Sequence, residues 1–183
     1  MLLIYYLVIS YLIGTFMTAY FVGKWKGINL QQANTGNLGA RNAGRTLGKT
    51  AFLLTVIGDG LKGVLVVCLG RYLGFEDVWI TAGMLFVVLG HLYPFWLKFK
   101  GGKGIATGIG ALLTFSPILL LALIAGFVVS LPFTKSLTIS MVIGFMTYSI
   151  YIVATGKFDL FILVAILALL TFEHRHNLIE RVK

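Results

Sequence analysis

Apolar residues in this chain come in unbroken runs, too long and too uniform for one face of a soluble helix, and short polar stretches separate them. The first run, "LLIYYLVISYLIGTFMTAYFV" (2–22), carries no charge and matches the roughly 20 residues that a helix needs to span a bilayer. No basic residue precedes it and no small-residue cleavage pattern follows, which favours a first membrane helix over a signal peptide. Further apolar runs cover 51–70, 78–96, 105–131 and 137–155, and a last one, 158–172, is short for a complete span. Pro117, directly after Ser116, and Pro132 are the two places where the long run from 105 is expected to break or kink.

The polar stretches share a sign. Lys24 and Lys26 follow the first run; Arg41, Arg45 and Lys49 lie in "GINLQQANTGNLGARNAGRTLGKT" (27–50), which reads as a loop. Lys98, Lys100 and Lys103 follow the third run, and the tail "EHRHNLIERVK" is basic again. Loops rich in lysine and arginine stay on the cytoplasmic side, so the N-terminus is expected outside and these loops and the C-terminus inside. Six crossings would leave the tail outside. One extra break, at Pro117 or Pro132, restores agreement with the charge rule. The expected architecture is therefore all-α: a polytopic membrane protein of about seven helices, some short or broken, in a single domain over 1–183.

Composition agrees with a membrane protein and narrows the partners. Of 183 residues, 58% are hydrophobic and 11% charged, more apolar surface than a soluble domain of this size can hide. The formal charge of +9 sits between apolar runs rather than along one face, which argues against nucleic acid as a partner. The one cysteine, Cys68, lies within an apolar run and supports neither a disulfide nor a metal set.

Three polar clusters fall on one side of the membrane: Asn34 to Lys49, His91 to Thr107, and Glu173 to Arg181. Glycine, asparagine, arginine and lysine recur in them, an inventory suited to an anion. Glycines let backbone N–H groups approach phosphate oxygens, arginine binds them in a fork, and lysine adds a compact charge. A helix beginning near Gly104 would add its positive end.

Other chemistries fit less well. "GRTLGKT" lacks one residue of a nucleotide P-loop and has no strand before it. His174 and His176 are two apart and lack a carboxylate cluster, so no metal site is expected. No aspartate stands five residues after His91 or His174, and there is no Gly-x-Ser-x-Gly elbow. Asp59 and Lys62 are charges three apart inside an apolar run. An ion pair bracing helices is the favoured reading for them, ahead of direct catalysis.

Taken together, "NTGNLGARNAGRTLG" (34–48), "GDGLKG" (58–63), "GHLYPFWLKFKGGKGIAT" (90–107) and "HRHN" (174–177) resemble the bacterial acyl-phosphate:glycerol-3-phosphate acyltransferases of phospholipid synthesis, in order and spacing over nearly the whole chain. The resemblance implies a multi-pass enzyme of the bacterial cell membrane with its active site at the cytoplasmic face. It implies transfer of a fatty acyl group from acyl phosphate to the 1-hydroxyl of glycerol 3-phosphate, giving lysophosphatidic acid and phosphate. No cofactor, metal or protein partner is implied.

Position by position, Thr35, Arg45, Lys103, His174 and Asn177 fall on the family's active-site positions. Gly36, Asn37 and Asn42 in the first block, with His91, Lys100, Gly101, Gly102 and Gly104 in the second, are expected to bind substrate. Asn34, Thr35 and Arg41 stand where the family usually has glycine, serine and threonine, and Thr35 keeps the hydroxyl. The alternative reading is a small membrane transporter or binding protein for an organic phosphate, motivated by broken helices and the intramembrane Asp59 and Lys62.

Overall fold

The computed structural model describes residues 1–155 and 161–173, and these form helices joined by short turns and loops. In chain order they are α1 (Leu2–Thr15), α2 (Thr18–Trp25), α3 (Ala40–Leu47), α4 (Lys49–Tyr72), α5 (Asp77–Leu92), a single 3₁₀ turn (Phe95–Leu97), α6 (Ile105–Phe115), α7 (Pro117–Thr134), α8 (Leu137–Ala154) and α9 (Phe161–Glu173). Five segments are long and apolar enough to cross a bilayer: Leu2–Trp25, Lys49–Tyr72, Asp77–Leu97, Pro117–Thr134 and Leu137–Ala154. Ile105–Phe115 and Phe161–Glu173 are shorter apolar helices. The chain divides into two compact units, Met1–Thr114 and Phe115–Lys183.

Two expectations are corrected. The first apolar run is two helices, interrupted at Phe16 and Met17, which are extended. The basic stretch 27–50 is not all loop, since it contains α3. Between the two candidate breaks in the run from 105, the structure uses Ser116–Pro117. The Ser116 hydroxyl caps α7 by accepting from the Leu119 N–H at 3.5 Å, and Pro117 occupies the first helical turn, where its missing N–H costs nothing. Pro132 lies near the end of α7 without ending it.

Within the first unit, helices meet through glycine. A methyl group built at Gly90 of α5 would sit 3.0 Å from the Gly14 Cα of α1, and one at Gly14 would sit 2.9 Å from the carbonyl carbon of Val87. Gly60 of α4 and Gly110 of α6 make a second such approach, at 3.0 Å by the same measure. In lipid there is no hydrophobic gain in bringing helices together, so close backbone packing between small residues supplies the attraction. Within the second unit, Gly126 of α7 approaches Gly144 of α8 in the same way, at 3.1 Å.

The break in the first run explains the buried charges. In a helix interrupted inside apolar surroundings, each terminal carbonyl needs a donor. The Thr15 hydroxyl donates to the Leu12 carbonyl at 2.8 Å, and the Phe16 N–H to that of Ile13 at 3.3 Å. The Lys62 ammonium takes the Gly14 and Phe16 carbonyls at 3.2 and 2.8 Å, and the Trp96 indole N–H takes that of Thr15 at 3.0 Å. Asp59 lies 3.1 Å from the Lys62 nitrogen and faces Thr18, the first residue of α2, at that helix's positive end. Gly58 leaves room for Thr18, because a methyl there would lie 2.6 Å from its hydroxyl. The Asp59–Lys62 pair is thus a brace across the interruption.

Candidate functional site

The polar stretch 27–39 is held by its own apolar residues. Leu30 and Leu38 are buried in a cluster with Met17, Ala19, Val22, Ala43, Ala51 and Leu97, so α2, the start of α4 and the turn after α5 clamp the loop at two points. Between the anchors Asn34 and Gly36 adopt left-handed backbone, φ 50° and 69°. A side chain at Gly36 would also press on the Gln31 carbonyl at 2.9 Å. The loop then runs into α3, which turns back on α4 at Gly48, φ 89°.

Asn42 organises this turn from inside. It is buried, donates from Nδ2 to the Leu30 carbonyl at 3.0 Å and accepts the Thr35 N–H on Oδ1 at 3.3 Å. The Thr35 hydroxyl is exposed and accepts weakly from the Asn37 N–H at 3.5 Å. Asn34 is tied to Thr46 at 2.7 Å, and the Thr46 hydroxyl also donates to the Asn42 carbonyl at 2.9 Å. Arg45 lies in the last turn of α3, exposed to solvent.

The second block docks against the first. Leu38 N–H donates to the Gly101 carbonyl at 3.3 Å, and Gln31 Nε2 to the Lys100 carbonyl at 3.3 Å. The same segment is sewn to the end of α5: the Gly101 N–H donates to the Leu92 carbonyl at 3.0 Å and the Gly102 N–H to that of His91 at 3.1 Å. Gly101 could not carry a side chain, because a methyl would lie 2.6 Å from the Pro94 ring and 2.8 Å from the Leu92 carbonyl. Lys103 is half-buried, and Gly104, φ 76°, turns the chain into α6. α6 therefore begins at Ile105, two residues after Lys103.

His91 is not at the surface of this arrangement. It is 2% exposed and lies under the glycine loop, its Nδ1 at 2.8 Å from the Lys62 nitrogen and 3.3 Å from the Thr107 hydroxyl. Its place is that of a support. Asn42 is likewise buried beneath the Thr35 turn, whereas Thr35, Arg45 and Lys100 are exposed. His174 and Asn177 lie outside the described residues. Sequence reasoning missed Gln31, Leu38, Thr46 and Thr107; Leu30 and Leu38 are the signal that was there, the two leucines in a stretch that has no other large apolar side chain between Ile28 and Leu47. Among the described residues no group of three His, Cys, Asp or Glu is placed to hold a metal.

Two cationic, glycine-rich segments thus form one surface in the first unit, with no acidic residue anywhere in 24–58. A family model described as glycerol-3-phosphate acyltransferase matches residues 4–183. The chain belongs to the glycerol-3-phosphate acyltransferase family. Among relatives of this family, the glycerol-3-phosphate acyltransferase of Bacillus subtilis (strain 168) is 37% identical over 180 residues, 97% of this chain and 93% of its own. Glycerol-3-phosphate acyltransferase 1 of Bacillus cereus (strain ATCC 10987 / NRS 248) is 45% identical over 125 residues, 68% of this chain and 69% of its own. The crystal structure of PlsY (YgiH), an integral membrane glycerol 3-phosphate acyltransferase in its glycerol 3-phosphate form, matches with a TM-score of 0.87 at 29% identity, over 100% of this chain and 92% of that one. Its lysophosphatidic acid form matches with a TM-score of 0.86 at 28% identity. As a member of this acyltransferase family with several apolar helices, the chain is a multi-pass membrane protein.

Proposed function

We propose that this protein transfers a fatty acyl group from acyl phosphate to the 1-hydroxyl of glycerol 3-phosphate, at the cytoplasmic face of a bacterial cell membrane, and that residues 1–183 act as one catalytic domain. The observation that carries the reading is the Leu38–Gly101 hydrogen bond, which joins the Thr35 turn to the glycine loop ahead of Lys103. Support comes from the family match over 4–183 and from the likeness to PlsY structures named for glycerol 3-phosphate and lysophosphatidic acid forms.

Acyl phosphate is a mixed anhydride whose leaving group departs readily, so no protein nucleophile has to be activated. The acceptor oxygen forms a bond to the acyl carbon, the bond between that carbon and the oxygen bridging to phosphorus breaks, and phosphate leaves with the electron pair on the bridging oxygen. The hydroxyl proton passes to a phosphate oxygen or to His174. The protein's task is to hold two dianions close, orient the hydroxyl and compensate charge on the departing phosphate. Arg45 and Lys103 are assigned to the phosphates, with the Thr35 hydroxyl and the Gly36 and Asn37 backbone completing the cradle. Lys100, Gly101, Gly102 and Gly104 form its second wall. His174 and Asn177, three apart on a helical spacing, keep the role the resemblance gives them, orienting glycerol 3-phosphate.

The test is phosphate release by purified protein given palmitoyl phosphate, with and without glycerol 3-phosphate, and with palmitoyl-CoA as a parallel donor. The expected result is release that requires glycerol 3-phosphate and yields lysophosphatidic acid, with palmitoyl-CoA inactive. Product from palmitoyl-CoA at an equal rate overturns the donor assignment. Uptake of glycerol 3-phosphate into proteoliposomes with no acyl transfer overturns the enzyme assignment.

A further inference from the structure

The glycine loop has no apolar side chain of its own between Phe99 and Ile105, so something else must fix its shape. The residues that touch it most closely converge on His91. The Gly102 N–H donates to the His91 carbonyl, and the next carbonyl, that of Leu92, receives the Gly101 N–H. On the side-chain end, Thr107 of the first turn of α6 reaches Nδ1, and a methyl group built at Gly102 would overlap Nε2. Both arms of the loop, 101–102 and 107, therefore close around one imidazole.

That imidazole is itself held from a different helix. The Lys62 ammonium has three N–H groups and no acceptor. Its three hydrogen-bond partners are the Gly14 carbonyl, the Phe16 carbonyl and His91 Nδ1, at 3.2, 2.8 and 2.8 Å. Asp59 adds its charge at 3.1 Å from the same nitrogen, while its distance of 3.9 Å from His91 Nδ1 is too long for a hydrogen bond. Since Lys62 can only donate, Nδ1 must accept, and the ring proton is left on Nε2, the edge that packs against Gly102.

We propose that His91 is a positioning residue, the template around which the Gly101–Lys103 loop is moulded, and that Lys62, held by Asp59, fixes the ring tautomer and orientation that make it so. The ring touches no reacting atom; it acts through the height and register of the loop that carries Lys103. The same lysine closes the interruption between α1 and α2, so the brace in the first span and the shape of the anion loop are set by one group. The kinetic consequence rests on the acyltransferase reading above, but the structural consequence does not.

The experiment uses the full chain in lipid nanodiscs. Nitrogen-15 spectra of ring-labelled histidine, with the His91 signals identified by their loss in His91→Asn, are expected to show Nδ1 unprotonated and Nε2 protonated. Amide exchange at Gly101 and Gly102 is expected to speed up by about tenfold or more in His91→Leu, which keeps bulk and loses the acceptor, while amides of α7 and α8 keep the parent rates. In the same variant kcat/KM for glycerol 3-phosphate is expected to fall about 10- to 100-fold, chiefly through KM, with partial rescue in His91→Asn, whose side-chain oxygen can take the Lys62 N–H.

A protonated Nδ1 in the parent protein overturns the proposal, and so does unchanged exchange at Gly101 and Gly102 in His91→Leu. Should that variant not fold, Asp59→Asn combined with Lys62→Met removes the pair without stranding a single buried charge; there the ring signals must move, and unmoved signals overturn the proposal. A parent protein that shows the stated tautomer and exchange but transfers no acyl group retires the functional reading and leaves the template intact.

Discussion

Gly102→Ala is the sharpest single test of how the anion loop is built. The loop passes so close to the His91 ring that the new methyl would overlap Nε2, and it would lie 3.0 Å from the Leu38 carbonyl on the other side. Neither neighbour can give way, because His91 is 2% exposed and Leu38 1% exposed, each packed on every side. The loop itself must retreat, by about 1 Å to restore van der Waals contact, and a displacement of that size beside reacting groups costs about 100-fold in rate. That corresponds to about 2.7 kcal/mol of lost transition-state stabilisation. The assay is kcat/KM for glycerol 3-phosphate, measured in Gly102→Ala alone and on a His91→Ser background, where the ring is gone and the methyl has room. The clash predicts a loss of about 100-fold in the single variant and a far smaller additional loss in the pair, a non-additivity expected only of residues in contact. Equal losses on both backgrounds, or parent activity in Gly102→Ala, would refute the geometry argued for the loop.

Lys103→Ala is expected to abolish turnover while the protein keeps its helical circular dichroism and elutes as the parent does in detergent; near-parent rates would remove Lys103 from the phosphate site. Asp59→Asn leaves Lys62 without its counter-charge in a buried setting, and breaking one partner of such a pair costs about 3–5 kcal/mol, read as a lowered melting midpoint in detergent. An unchanged midpoint would show that the Gly14 and Phe16 carbonyls and His91 Nδ1 hold the ammonium without Asp59. Gly90→Val fills the closest approach of α1 and α5, where even a methyl would sit 3.0 Å from the Gly14 Cα; overpacking there is expected to cost about 1–3 kcal/mol and to lower yield of folded protein, with Gly74→Ala, whose Cβ meets nothing within 4 Å, as a comparison that tests crowding against backbone strain.

Much of this architecture was legible in the sequence because bilayer physics writes in long words. The runs at 51–70, 78–96 and 137–155 became α4, α5 and α8 with ends moved by only a few residues, and Ser116–Pro117 announced a cap and a first helical turn in two letters. The interruption at Phe16–Met17 was not legible. Gly14, Thr15 and Thr18 weaken the helix around it but do not place a break at Phe16 and Met17, and the two extended residues persist because Lys62 and Trp96, far along the chain, satisfy the carbonyls that the break exposes. α3 was hidden for a related reason: the glycine, asparagine and threonine of its short sequence weaken the case for a helix, and Ala43 and Asn42 are buried against the Leu30–Leu38 loop. The site shows the same division. Residue types pointed to the two cationic, glycine-rich segments, whereas which of their groups are exposed, such as Thr35 and Arg45, and which lie buried beneath them, such as Asn42 and His91, is decided by packing.

The buried charges show why that distinction matters to mechanism. An aspartate and a lysine inside an apolar run invite a functional reading, since each is expensive there unless something compensates it. Here the compensation can be counted. Lys62 donates to two carbonyls that a broken helix would otherwise leave bare, and to one ring nitrogen; Asp59 balances its charge and faces the start of α2. Every N–H of the ammonium is used, so none remains to bind a substrate phosphate. If instead the pair were a transport site, the ammonium would need an unoccupied donor and a path to water, and with 3% exposure Lys62 has neither. The ion pair therefore shapes the first span and, through His91, the loop beside it, and the assignment of phosphate binding falls to the cationic loop and α3 rather than to Lys62.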